Sequence, residues 1–221
     1  MKLVLQQLPN IRGTPRARFL APEAAESILK LEKETGGLIY TDMWRDPVAS
    51  LLAKRTRRSP SLPGYCGHNF GLGIDLDVMT YLEEKKIRYE DLLYLMKKRG
   101  WYCHRRDGDP TSPGFDHFNF LGNTANQYLL KCTMDPITWE YPVEERIYER
   151  YSKEFQLSLK TVQERLAKIG FYREELSGTA DLYTREAVMA FQRAWDMIEN
   201  GNVDATFCRV LAFVTCDLEL R

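Results

Sequence analysis

The amino-acid pattern of this chain changes character near residue 150, and that change constrains the fold more than any other feature. Upstream, strand-like and helix-like stretches alternate; downstream, the apolar residues recur at helical spacing. Leu159 to Ile169 sets Val162, Leu166 and Ile169 on one side and is ended by Gly170. Thr184 to Trp195 presents Ala187, Val188, Phe191 and Trp195, with Thr184 as the expected cap, and a third helix is expected after Asp204. Upstream, Ala21 to Glu34 reads as a helix, with Pro22 in its first turn and Gly36-Gly37 past its end. Pro47 to Arg57 reads as another, ending in the basic cluster Lys54, Arg55, Arg57 and Arg58, which is expected to be a solvated helix end. Tyr89 to Arg99 is a third helix, with Leu92, Leu93, Leu95 and Met96 on its apolar face. Strands are expected at Gly37–Thr41, Gly71–Val78 and Phe118–Leu121, with Ser59 to Gly64 as a turn-rich loop. The fold class is therefore α+β: a small mixed sheet with helices over residues 1–150, then a small all-α three-helix domain over residues 151–221.

Composition narrows the partners. Thirty-one basic residues balance thirty-one acidic ones among 221, so no net field recruits nucleic acid or an anionic membrane. A hydrophobic fraction of 44% is ample for a core. No apolar run approaches the roughly 20 residues a bilayer span needs, so membrane insertion is not expected. Met1 to Pro9 holds no apolar stretch of signal-peptide length, which predicts synthesis in the cytoplasm and action elsewhere only after release. The five cysteines, Cys66, Cys103, Cys132, Cys208 and Cys216, form no C-x-x-C pair, and reduced thiols are expected in a monomeric protein.

The three histidines, His68, His104 and His117, all fall within one stretch of the first domain. Gly71 and Gly73 stand between His68 and Asp75 and allow the backbone to fold back, so that both side chains face one cavity. Two imidazoles, His68 and His117, with one carboxylate, Asp75, are what a catalytic Zn2+ needs when a fourth position stays open. Such an ion polarises a carbonyl and brings bound water to a pKa near ~7. Asp77 shares the strand face of Asp75 and either orients a ligand or faces solvent.

The run Cys66-Gly67-His68-Asn69-Phe70-Gly71-Leu72-Gly73-Ile74-Asp75 resembles the S-x-H-x-x-G-x-A-x-D signature of the zinc D-Ala-D-Ala peptidase family. That family includes D-Ala-D-Ala carboxypeptidases and dipeptidases and phage L-alanyl-D-glutamate endolysins. Cys66 stands where serine is usual, and Gly73 where alanine is usual. Tyr40 to Pro47 is similar to the family's strand-plus-arginine element, and Trp101 to Arg106 with His117 to Phe120 is similar to the block carrying the last ligand. The resemblance spans roughly residues 38–122. It implies His68, Asp75 and His117 as zinc ligands and Arg45 as the group that binds a substrate carboxylate or carbonyl, a task its planar fork suits. His104 is left for substrate contact or structural packing, because a fourth protein ligand would close the site. The family often carries a glutamate three residues before the last histidine as general base; Gly114 occupies that position. If the loop Asp109 to Phe115 bulges, Asp116 is the expected replacement, with Asp107 or Asp109 as alternatives; a site with no protein base is the remaining one.

The C-terminal segment is similar to the three-helix peptidoglycan-binding domain, through Val162-Gln163-Glu164-Arg165-Leu166, Gly170, Gly178, Asp181, Thr184, Ala187-Val188, Ala190-Phe191-Gln192 and Gly201-Asn202-Val203-Asp204. The similarity covers about residues 157–213. Tyr172, Tyr183, Gln192 and Trp195 are candidate ligand contacts on the expectation that they are exposed. Together the two resemblances imply a zinc-dependent, endolysin-like peptidase acting on the stem peptides of bacterial cell wall, with peptidoglycan as partner and phage-type lysis as the setting. The alternative is a non-catalytic cell-wall-binding or phage structural protein with a degenerate peptidase fold, motivated by Gly114.

Overall fold

The computed structural model describes residues 2–103, 114–120 and 157–221. The elements run β1 (Lys2–Gln7), β2 (Arg12–Gly13), β3 (Phe19–Leu20), α1 (Pro22–Thr35), β4 (Ile39–Asp42), α2 (Pro47–Arg55), a 3₁₀ turn (Gly67–Phe70), β5 (Gly73–Leu76), α3 (Val78–Lys85), α4 (Tyr89–Lys98), β6 (Trp101–Cys103) and β7 (His117–Phe120). They continue with α5 (Leu159–Lys168), α6 (Leu182–Ala194), α7 (Ala205–Val214) and β8 (Asp217–Leu220). Two compact units interleave along this order. One gathers Leu3–Arg45, the described residues from Cys66 to Phe120, and Leu218–Arg221; the other joins Asp46–Tyr65 to the C-terminal helices. A single cut at residue 150 therefore does not describe the division, because the α2 segment lies with the helical unit and the last four residues with the other.

In the mixed unit, a five-stranded sheet has the order β2-β4-β5-β7-β6. Its β2–β4 pair is parallel and the other three pairs are antiparallel. The sheet begins to fill its core through α1, whose Pro22 fits the first helical turn and whose Gly36, at φ 68°, closes the end in the left-handed region. The buried positions of α1, Ala24, Ala25, Ile28 and Leu31, follow helical spacing. Helix α4 buries Tyr89, Leu92 and Met96 and packs beside α1 and β6. Trp101 of β6 is fully buried, and its indole N–H donates to Ser27 Oγ at 3.2 Å. Ser27 in turn donates to the Arg99 carbonyl, so the largest buried side chain carries no stranded donor. The expected strand to Val78 ends earlier, at Leu76, because Asp77 accepts from Thr80 N and starts α3. Asp77 is thus a helix cap.

A second sheet, of order β3-β1-β8, was not foreseen. Its strand β8 arrives from the far end of the chain: Arg221 N donates to Leu5 O at 2.8 Å, and Gln7 N donates to Arg221 O at 2.7 Å.

The helical unit is built on α5, α6 and α7, whose core contains Val162, Leu166, Val188, Phe191, Phe207 and Leu211. Leu62 and Tyr65, from the segment after α2, pack against the same core. Asp181, not Thr184, caps α6, accepting from Thr184 N at 2.7 Å. Asp204 caps α7 through Phe207 N at 2.8 Å, as the pattern before the third helix predicts. The basic end of α2 is not simply solvated: Lys54 pairs with Asp196 at 2.5 Å, and Arg55 donates to the Ala194 carbonyl.

Candidate metal centre

Antiparallel pairing of β5 with β7 sets Asp75 opposite His117, and residues opposite one another project to the same face of a sheet. His68 comes from the 3₁₀ turn that folds back over β5. Two glycines make that fold possible. Gly71 ends the turn at φ 68°, in the left-handed region, with Leu72 N donating to Gly67 O at 2.8 Å. At Gly73 a Cβ would sit 2.6 Å from the His68 nitrogen, so the turn and the strand lie closer than any side chain permits. As a result three donor atoms meet. His68 Nε2 lies 3.0 Å from Asp75 Oδ1 and 3.1 Å from His117 Nδ1, and His117 Nδ1 lies 2.7 Å from Asp75 Oδ1.

Neighbouring groups fix how these donors point. His68 is fully buried, and its Nδ1 meets the Met43 carbonyl. A carbonyl only accepts, so Nδ1 carries the proton and Nε2 turns its lone pair to the cluster. Arg45 donates from Nε to Asp42 Oδ2 at 2.7 Å and from Nη2 to Asp75 Oδ2 at 2.9 Å. Asp75 thus offers one oxygen to the imidazoles and holds the other against a guanidinium. Burial opposes its ionisation, but His68 and His117 outweigh burial and hold its carboxyl well below the usual carboxylate range. Three lone-pair atoms this close repel unless a proton or cation sits among them. Two imidazole nitrogens and a carboxylate oxygen are a donor set that zinc takes, so the residues fit the ion.

Cys66 was read from the sequence only as a small stand-in for serine, yet its Sγ and ring nitrogens of His68 and His117 all lie within 4.8 Å of one another. The signal is present in the sequence: a thiol two residues before His68. Burial pushes this thiol up to about 11, against the opposing influence of Arg45 and the His68 backbone N–H.

Asp116 stands in the turn entering β7, half-buried, and its carbonyl accepts from Leu76 N at 3.0 Å. Burial first, and then the charge of Asp75, push its carboxyl upward. The turn is closed by His117 N donating to Gly114 O at 3.2 Å, and by the Tyr89 hydroxyl donating to Phe115 O at 2.5 Å. Gly114 itself has φ 83°, a conformation that a glutamate rarely adopts. His104, Asp107 and Asp109 lie outside the described residues.

Among the candidate contacts of the helical unit, two are corrected. Tyr172 and Gln192 are buried, at 4% and 1% exposure, and cannot meet a large ligand there. Gln192 is held inward because its amide spans the Asn200–Asn202 turn, accepting from Asn200 N and Gly201 N and donating to Asn202 O. Tyr183 is exposed, while Trp195 is half-buried against Phe191.

Residues 156–211 match the family described as "Putative peptidoglycan binding domain", a span running from just before α5 into α7. No curated protein matches the chain. The molecule is thus a mixed α/β protein with a metal-type donor cluster, carrying a helical region of the peptidoglycan-binding type. No helix among the described residues is long and apolar enough to cross a membrane.

Proposed function

We propose that this protein is a zinc-dependent peptidoglycan peptidase, hydrolysing a stem-peptide bond such as L-Ala–D-Glu or D-Ala–D-Ala. The observation that carries the reading is the meeting of His68 Nε2, Asp75 Oδ1 and His117 Nδ1 within 2.7–3.1 Å, in a chain whose C-terminal region matches a wall-binding family. These three residues would hold the ion. When bound, zinc supplies Lewis-acid polarisation of the scissile carbonyl and lowers the pKa of water. Asp116 would be the group to accept a proton from the attacking water; burial and the charge of Asp75 push its carboxyl upward, the direction a general base needs, and such a base contributes about 10²–10⁴-fold in rate. Arg45 binds the substrate carboxylate or carbonyl through the edge of its guanidinium not committed to Asp42 and Asp75. His104 is a further candidate for substrate contact. The helical unit keeps the peptidase at an insoluble polymer, raising its effective concentration there. The protein acts on the wall after release from the cytoplasm, as a monomer.

The test is digestion of purified sacculi with mass spectrometry of the released fragments, run beside metal analysis. Zinc at one equivalent and new peptide termini are expected. A chelator abolishes release and added zinc restores it, while adhesion to sacculi persists throughout. A second reading, a wall-binding protein without catalysis, is favoured by Gly114 in place of a glutamate base. Adhesion with bound zinc and no fragments would establish it instead.

A further inference from the structure

We propose that Cys66 Sγ is a fourth ligand, in the resting state, of the ion held by His68, Asp75 and His117, occupying the position that water takes over for hydrolysis; this rests on the zinc reading above. The backbone that carries Cys66 is the one that delivers His68. Cys66 has extended dihedrals, φ −127° and ψ 147°, and begins the 3₁₀ turn in which His68 follows two residues later. Asn69 pins it from both sides, accepting from Cys66 N at 3.2 Å and donating its own N–H to Cys66 O at 3.0 Å. Asn69 is itself fully buried, and its amide donates to the Arg45 carbonyl at 3.3 Å. With the backbone held this way, the sulfur moves only by rotation about the Cα–Cβ bond. It already lies, with a nitrogen from each imidazole, inside a 4.8 Å span.

The chemistry favours engagement. Zinc binds thiolate sulfur at ~2.3 Å and imidazole nitrogen at ~2.0–2.1 Å, so donors on one tetrahedral ion stand within such a span. Formation of the sulfur–metal bond releases the thiol proton to solvent. A cysteine, two histidines and an aspartate complete four-coordination in the resting state, and water enters by displacing the sulfur, which takes a proton back from solvent. The sulfur also biases the site toward thiophilic cations and away from magnesium or manganese, a preference that a serine hydroxyl at the same place would not give.

Cobalt(II) titration of the full chain, followed by absorption spectroscopy, tests this. The wild-type protein should bind one equivalent and show near-ultraviolet thiolate-to-cobalt charge transfer in addition to the visible ligand-field bands. Cys66→Ser and Cys66→Ala should still bind one equivalent, lose the near-ultraviolet absorption, and hold zinc about tenfold or more weakly in competition with a chelating dye. Visible bands without charge transfer in the wild type would overturn the sulfur ligand and leave the metal reading standing. Charge transfer that survives in both variants would overturn it too, assigning the sulfur to another cysteine. Absence of any bound cobalt would remove both. If one variant does not fold, the other carries the assignment, and a wild-type spectrum without charge transfer overturns the sulfur ligand by itself.

Discussion

At the scale of single residues, the tightest constraint on the candidate centre is a missing methyl group. The resemblance treats glycine or alanine at position 73 as interchangeable, because both are small. In the structure they are not, since a Cβ there would lie 2.6 Å from His68 N and 3.0 Å from Gly67 C. These are backbone atoms, which cannot swing aside as a flexible side chain can. Gly73→Ala must therefore lift the 3₁₀ turn from β5 and carry His68 away from Asp75. The expected cost is about 1–3 kcal/mol of stability from overpacking, read as a lower urea midpoint. Metal affinity should fall by about tenfold or more, as it does when the support of a ligand is disturbed. An unchanged zinc affinity in a folded Gly73→Ala protein would mean that the turn does not depend on this close approach. The placement of His68 and Asp75 was legible in the sequence because glycines and ligands lie in one contiguous run. The involvement of Arg45 with Asp75 was not, since a contact across thirty residues leaves no local spacing to read.

Elements show where sequence patterns speak and where they are silent. Helices α1, α4, α5 and α6 follow from apolar periodicity, which their buried faces reproduce. The pairing of β1 with β8 does not, because it joins the two ends of the chain and leaves no local spacing to read, although Leu3 and Leu5 alternate inward along β1. Within the helical unit, one fully buried residue, Gln163, ties together several groups of the loop joining α5 to α6. Its Nε2 donates to Thr184 Oγ1 at 2.9 Å and to Thr179 O at 3.1 Å, and its Oε1 accepts from Gly178 N at 2.7 Å. Gln192 repeats this device at the next turn, which explains why a residue expected to contact ligand points inward. Replacing Gln163 by leucine keeps the volume but strands these loop groups. The expected loss is about 1–3 kcal/mol, measurable by denaturant unfolding. Asp204→Ala, which removes only a cap, should cost about 0.5–2 kcal/mol, and hydrogen exchange should localise its effect to the first turn of α7. If Gln163→Leu proves neutral, the loop is ordered by something other than this amide.

For the whole molecule, the decisive property is that chain order and spatial grouping disagree. A boundary at residue 150 looks natural because periodicity changes there, and the peptidoglycan-binding match begins at residue 156. Yet the helical unit also includes Asp46–Tyr65, so the N-terminal half supplies part of the unit that carries this match. Contacts within that unit show what the segment contributes. Leu62 and Tyr65 cover its core, and Lys54 pairs with Asp196. Arg209, 4% exposed, donates from Nε to the Gly64 carbonyl at 2.5 Å and lies 4.3 Å over the Tyr65 ring. Removing the segment would leave the Arg209 guanidinium without these partners and expose apolar surface on α7. A fragment covering residues 151–221 also separates Leu218–Arg221 from the unit to which it belongs. Such a fragment should therefore melt with reduced cooperativity and at lower temperature than the helical unit does in the intact protein, and bind sacculi more weakly. Circular dichroism and sedimentation with purified sacculi measure both. Arg209→Met, which is apolar and of similar length, should partly restore the fragment's melting by removing a buried cation that has lost the Gly64 carbonyl and the Tyr65 ring. A fragment that folds cooperatively and binds as tightly as the whole chain would show that the α2 segment is an accessory to the wall-binding unit rather than a part of it.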